Sequence, residues 1–176
     1  MLTQREIAHF ATLGEMLGFD AFIEDSKFDQ TKGRSRPMDL SWWKWDPKDS
    51  ENYAYLALHL ERENVWGKAI ETIEKLFSKT DEGFVPHNVI GIQRIASGEK
   101  ISALNCMVAK KNAVQQSVAL MIYRYDDAEP GTERIIACYF KADGTLETKE
   151  AIAKLDQSNY WYMVYEEEQQ AIQKKT

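Results

Sequence analysis

The chain has 176 residues, of which 44% are apolar and 11% aromatic, and it carries a formal net charge of −6 at pH 7. That composition is enough for one packed domain and excludes wholesale disorder. The acidic balance sets the chain apart from proteins that coat nucleic acid through net positive charge alone.

The N-terminal M-L-T-Q-R-E-I-A-H-F carries charge early and has no continuous apolar core, so it does not read as a secretory signal. Thr3 to Glu6 (T-Q-R-E) reads as a capping box. Ile7, Phe10, Ala11, Leu13, Gly14 and Leu17 follow at near-helical spacing, and Gly18 suits a helix stop, so 3–17 is predicted helical. F-D-A-F-I-E (19–24) is a short strand. Residues 25–36 are polar, contain Gly33 and run into Pro37, the pattern of a loop. Within it, 26–36 is basic, with Lys27, Lys32, Arg34 and Arg36 against one acid, Asp29. A basic loop on an acidic body can meet phosphate locally, although its default role is a solvated loop.

M-D-L-S-W-W-K-W (38–45) is an aromatic-rich strand. A turn of Asp46, Pro47, Lys48, Asp49 and Ser50 leads to a long strand, Tyr53 to Glu63. Together they predict an antiparallel hairpin over 38–63. From Trp66 the period changes: Trp66, Ala69, Ile70, Ile73, Leu76 and Phe77 mark an amphipathic helix, with Asn64 near its start as a cap. H-N-V-I-G-I-Q-R-I (87–95) fits a strand or a short helix, and I-S-A-L-N-C-M-V-A-K-K-N (101–112) is equally ambiguous. Residues 117–125 and 134–140 are buried-strand runs around a turn. T-K-E-A-I-A-K-L (148–155) is read as a short helix and 159–167 as a last strand. There is no repeat or linker, so 1–176 is read as a single domain, with 79–115 a possible insertion within it.

No apolar run approaches the roughly 20 residues that span a bilayer. Cys106 and Cys138 stand far apart in apolar surroundings and read as buried thiols; 3 histidines without a Cys-x-x-Cys give no zinc pattern. These features imply a cytoplasmic protein. The helix–strand–strand–strand–helix order fits an α/β chain of the α+β, mixed-sheet kind and not a doubly wound sheet, and neither G-x-G-x-x-G nor a phosphate-binding G-x-x-x-x-G-K-[ST] occurs.

The chemistry concentrates in H-L-E-R-E (59–63). Strand alternation puts Tyr53, Tyr55, Ala57, His59, Glu61 and Glu63 on one face and Ala54, Leu56, Leu58 and Leu60 on the other. Glu61 and Glu63 then lie roughly 7 Å apart. Antiparallel pairing of 38–45 with this strand brings Asp39 beside them. Three carboxylates at close range repel one another unless a cation sits among them, and oxygen ligands of this kind suit Mg²⁺ or Mn²⁺. Taken alone, Glu61 and Glu63 also fit a solvated strand end, and His59 on the same face fits a hydrogen-bonded structural role. Trp42, Trp43, Trp45 and Trp66 fit core packing or a stacking surface for bases; adjacent Trp42 and Trp43 face opposite ways on a regular strand, so at least one is exposed unless both faces are covered.

The order of these parts resembles the PD-(D/E)XK nuclease superfamily, the restriction endonuclease-like fold. P-M-D-L supplies Asp39 at the start of the second strand. H-L-E-R-E supplies Glu61 and Glu63 on the third, and a helix follows. L-G-E-M-L-G-F-D-A-F-I-E looks like that family's first helix running into its first strand, with Glu15 matching an additional acid of the helix. The resemblance covers about residues 5–78. Glu63 stands where lysine is usual, and Asp39 follows Met38 instead of a proline. It implies a restriction endonuclease-like core, helix-β-β-β-helix-β, with extra C-terminal strands. It further implies metal-assisted hydrolysis of phosphodiesters, with Asp39, Glu61 and Glu63 as catalytic residues. Asp39, Glu61 and Glu15 would ligate Mg²⁺ or Mn²⁺, and Lys32, Arg34, Arg36 and Lys68 would bind phosphates. The implied partner is nucleic acid, DNA first. The alternative is a binding protein of the same fold without turnover, acting on a protein partner as a defence-system component or inhibitor; beside nucleic acid, a homodimer or a protein partner is the other expected association.

Overall fold

Alternation of apolar and polar residues over the first third of the chain makes three strands that lie side by side. In the computed structural model, which describes residues 2–25, 38–49, 52–80 and 82–165, α1 (Leu2–Met16) leads into β1 (Asp20–Asp25), β2 (Met38–Trp45) and β3 (Tyr53–Glu63). A single 3-10 turn, Trp66–Lys68, then opens α2 (Ala69–Leu76). β4 (Asn88–Arg94), α3 (Ile101–Gln115), β5 (Val118–Asp126), β6 (Thr132–Phe140), β7 (Leu146–Leu155) and β8 (Trp161–Tyr165) complete the chain. No helix among the described residues is long and apolar enough to cross a membrane.

The eight strands form one mixed sheet in chain order, β1 to β8. β3–β4 and β4–β5 are parallel; the other neighbours are antiparallel. Parallel neighbours need a crossover, and α2 and α3 are those crossovers. α1 packs on Leu40, Trp42, Leu58 and Leu60. α2 and α3 share a core with Val89, Ala119, Met121, Ile136 and Cys138. Arg62 reaches α1 at Glu6 while its neighbour Glu61 reaches α2 at Lys75. Neighbours on a strand point to opposite faces, so α1 and α2 cover opposite sides of the sheet.

β3 is not a regular strand. Trp42 registers with Leu58, but Trp43 registers with Leu56, so Ala57 is an extra residue and the strand carries a bulge. The bulge overturns the expected common face for Leu56, Leu58 and Leu60: Leu58 and Leu60 join the α1 core, whereas Leu56 packs with Met38 and Trp43. Trp42 and Trp43 are both buried because both faces are covered. Trp42 stacks on Phe19, its ring centroid 5.7 Å away. Trp43 meets Tyr53 and Phe84.

Three further readings change. Residues 148–155 are strand, not helix: β7 registers along the whole of β6, and Ala151, Ile152 and Ala153 are buried there. Within 79–115, β4 is an interior strand and Leu104 and Val108 of α3 belong to the main core. Cys106 is exposed, while Cys138 is buried as expected. The described helix already includes Leu2, so Thr3 lies within the helix and not at its cap, and the Glu6 carboxylate bonds Arg62 and Arg124.

Candidate active site

The β2–β3 ladder registers Leu40 with Leu60, so the next position outward sets Asp39 beside Glu61. Their side chains interlock the strand ends. The Asp39 N–H donates to Glu61 Oε1 at 2.9 Å, and the Arg62 N–H donates to Asp39 Oδ2 at 2.8 Å. Asp39 Oδ1 and Glu61 Oε2 are the oxygens not used in these two bonds.

A cation faces the pair from α2: Lys75 Nζ lies 2.5 Å from Glu61 Oε1. The Glu61 side chain is only 9% exposed. Burial, followed by the charge of Asp39, pushes its carboxyl up to about 7; Lys75 pulls the other way and is outweighed. Burial likewise raises the Asp39 carboxyl above its ordinary value, against the Arg62 N–H and Lys75. These are two carboxylates whose charge is costly until a cation approaches.

Glu63 is half-buried at the end of β3, and its Oε1 accepts the Val65 N–H at 2.8 Å. It fastens the turn into α2. Val65 stands at the N-cap position of that turn and makes no side-chain cap bond. Among the described residues, no group of three or more His, Cys, Asp or Glu side chains is placed to hold a metal ion, so Asp39, Glu61 and Glu63 do not close into one three-ligand cluster. Glu15 lies at the far end of α1: Glu6 marks the end beside Arg62, while Gly14 abuts Trp42. The nine residue steps from Glu6 to Glu15 span about 13.5 Å of helix, which keeps Glu15 away from Asp39 and Glu61. Lys68 closes the 3-10 turn ahead of α2 and is half-buried. Lys32, Arg34 and Arg36 lie outside the described residues.

No family model matches the chain, and no curated protein matches it significantly.

Two residues at the site were missed in the sequence. Lys75 falls between Ile73 and Leu76, and helical spacing alone makes it a flank of the apolar stripe. Only its height on α2 opposite Glu61 gives it a role. Gln93 registers with Glu63 across β3–β4 and is fully buried. Its Nε2 donates to the Ala69 carbonyl at 3.4 Å, and its Oε1 accepts no hydrogen bond among the described residues. A polar residue in an otherwise apolar strand, V-I-G-I-Q-R, was the available signal. Trp66 and Ile70, one turn apart on the outer side of the 3-10 turn and α2, are exposed just beyond Glu63 and give the site an apolar rim.

Proposed function

We propose that the chain is a metal-dependent phosphodiester hydrolase with a restriction endonuclease-like core over α1 to β4. The observation that carries this reading is the Asp39–Glu61 pair, interlocked where β2 and β3 end and faced by Lys75. Mg²⁺ and Mn²⁺ bind through one or two carboxylates and keep several waters, so the half-buried Asp39 and the buried Glu61 suit them without a third protein ligand. Raised carboxyl pKa values favour the same partner, because a divalent cation offsets the burial, and for Glu61 the charge of Asp39, that raise them.

A cation held by Asp39 and Glu61 would polarise a phosphate oxygen and acidify a bound water. Lys75 would hold negative charge that develops at the phosphate, the work expected of the lysine that Glu63 replaces. Glu63 would keep the α2 turn, and hence Lys75, in register. Exposed Trp66 would take the face of a base next to the cleaved bond. Nucleic acid, DNA first, is the proposed substrate.

One observation favours a second reading, a binding protein without turnover: Glu61 Oε1 already receives both the Asp39 N–H and the Lys75 ammonium. The two are separated by calorimetric titration of Mn²⁺ into wild type, Glu61→Ala and Lys75→Met, with plasmid and single-strand cleavage by the same proteins. The hydrolase reading expects Mn²⁺ binding lost in Glu61→Ala but kept in Lys75→Met, with cleavage at least about 100-fold slower in both. Absence of Mn²⁺ binding by wild type overturns it in favour of the second.

A further inference from the structure

The sheet has two edge strands, and they are built differently. β1 carries Asp20 and Glu24 along its short run, and Glu24 adopts a φ of 51°, a left-handed backbone that bends the strand. Charge and bending both discourage an edge from pairing with another chain. β8 has neither device. Its five residues, W-Y-M-V-Y, include no charge and no proline, and among the described residues it is hydrogen-bonded only to β7. Trp161, Tyr162, Met163 and Tyr165 are each 47–57% exposed.

Residues registered across a ladder share a face. Trp161, Met163 and Tyr165 therefore stand with Leu155, Ala153 and Ala151, and Tyr162 and Val164 with Lys154 and Ile152. Both faces of the edge are apolar or aromatic at β8 itself. A sheet edge of this kind is a template for another strand, and its chemistry fits a strand like itself.

We propose that β8 is a homodimerisation edge: two copies pair their β8 strands antiparallel about a twofold axis at Met163, joining their sheets. This register sets Trp161 of each copy against Tyr165 of the other, and Tyr162 against Val164. Every facing pair is neutral, and the two Trp–Tyr pairs are of the cross-strand aromatic kind that stabilises sheets. Pairing β8 with β1 of another copy would grow an open filament, whereas β8 with β8 closes. The side chains of Trp161 to Tyr165, with flanking Tyr160 and Leu155, offer on the order of 500 Å² per copy, taking ~200 Å² for a fully exposed aromatic. That lies at the small end for a specific interface, which makes the dimer a reversible one of about micromolar strength. Each copy carries a net charge of −6, so screening their mutual repulsion with salt strengthens it.

Sedimentation equilibrium of the full chain over ~1 to 200 µM, a range chosen to bracket micromolar strength, tests this, together with hydrogen exchange at both ends of the range. The expected result is a mass rising from 20.3 kDa to twice that value. The amides of 161–165 gain protection as concentration rises, and added salt raises the dimer fraction. Met163→Lys sets two ammonium groups at the axis and is expected to stay monomeric with unchanged circular dichroism; if that variant fails to fold, the exchange experiment on wild type decides alone. A single monomer mass throughout overturns the proposal, as does a dimer that survives Met163→Lys. Assembly beyond a dimer, concentration-dependent protection at 20–25 instead, or protection at 161–165 that ignores concentration (its own chain then covering the edge) would also overturn it.

Discussion

Glu61 is the residue where folding and chemistry pull apart. An ordinary glutamate at this position would be charged at pH 7, and Lys75 is placed to keep it so. Burial and Asp39 nonetheless hold its carboxyl near 7. A folded-state pKa above the unfolded value near 4.5 means that the group favours folding fully below that unfolded value. The contribution fades as pH rises and is gone above about 7. At 1.36 kcal/mol per unit, the swing is on the order of 3 kcal/mol. Glu61→Gln, which carries no charge to bury, is therefore expected to lose less stability than wild type between pH 5 and pH 8. Urea denaturation of both proteins across that range measures the difference, and parallel pH curves would show that the carboxyl titrates normally. Saturating Mg²⁺ or Mn²⁺, added at pH 8, is expected to restore part of the wild-type loss and to do little for the glutamine variant. Of this site the sequence displayed the acids and their shared strand face, because period-2 alternation is local information. It did not display Lys75, whose role depends on how a helix one crossover away is set down on β3.

At the scale of elements, the least forgiving contact lies between α1 and β2. A Cβ at Gly14 would stand 2.6 Å from the Trp42 indole, and that ring is already stacked on Phe19. Gly14→Ala is expected to cost about 1–3 kcal/mol by overpacking, although alanine is the better helix former by about 1 kcal/mol. Thermal unfolding of Gly14→Ala beside an exposed-helix control such as Glu15→Ala separates the two effects; stabilisation at both positions would mean that α1 stands further from the sheet. Spacing places Gly14 in the helix but says nothing of the tryptophan above it. The same boundary between local and non-local information explains the other differences. α1, β1, β2, β3, β5 and β6 were legible because each presents one strong period. β7 was not, because T-K-E-A-I-A-K-L is rich in helix formers, and its strand state comes from a nine-residue register with β6. α3 was ambiguous because its apolar residues do not gather on one stripe. The bulge at Ala57 leaves no mark in the sequence at all, yet it lets Leu56 leave the face of Leu58 and Leu60 for the cluster of Met38 and Trp43.

Across the whole molecule, a chain of ion pairs ties α1 to the centre of the sheet on the face away from Lys75. Arg62 of β3 and Arg124 of β5 both meet Glu6 of α1. Arg124 and Arg94 of β4 both meet Glu133 of β6, at 2.7 and 3.0 Å, and Arg94 reaches Asp126 as well. Glu6 and Arg124 are 118 residues apart, a separation that no sequence pattern bridges. The two acids in this chain should not be equally costly to remove. The Glu133 side chain is 8% exposed and holds two guanidinium groups, and Arg124 Nε is already buried without a partner. Removing Glu133 leaves Arg124, 22% exposed, with Glu6 as its remaining acid and Arg94, 32% exposed, with Asp126, so the loss is that of charge-assisted hydrogen bonds in a partly wet setting, about 1.5–3 kcal/mol. The Glu6 side chain is 31% exposed, so water can replace it, and its loss is expected to cost about 1 kcal/mol. Denaturant unfolding of Glu133→Ala, Glu6→Ala and the double variant tests the ranking. It also tests the coupling: the double variant should lose more than the sum, because in either single variant the other acid still neutralises Arg124. Equal, additive losses would mean that Arg124 does not join the two halves. In that case α1 would be held to the sheet by its apolar contacts and the Glu6–Arg62 pair, without a tie to β5 and β6.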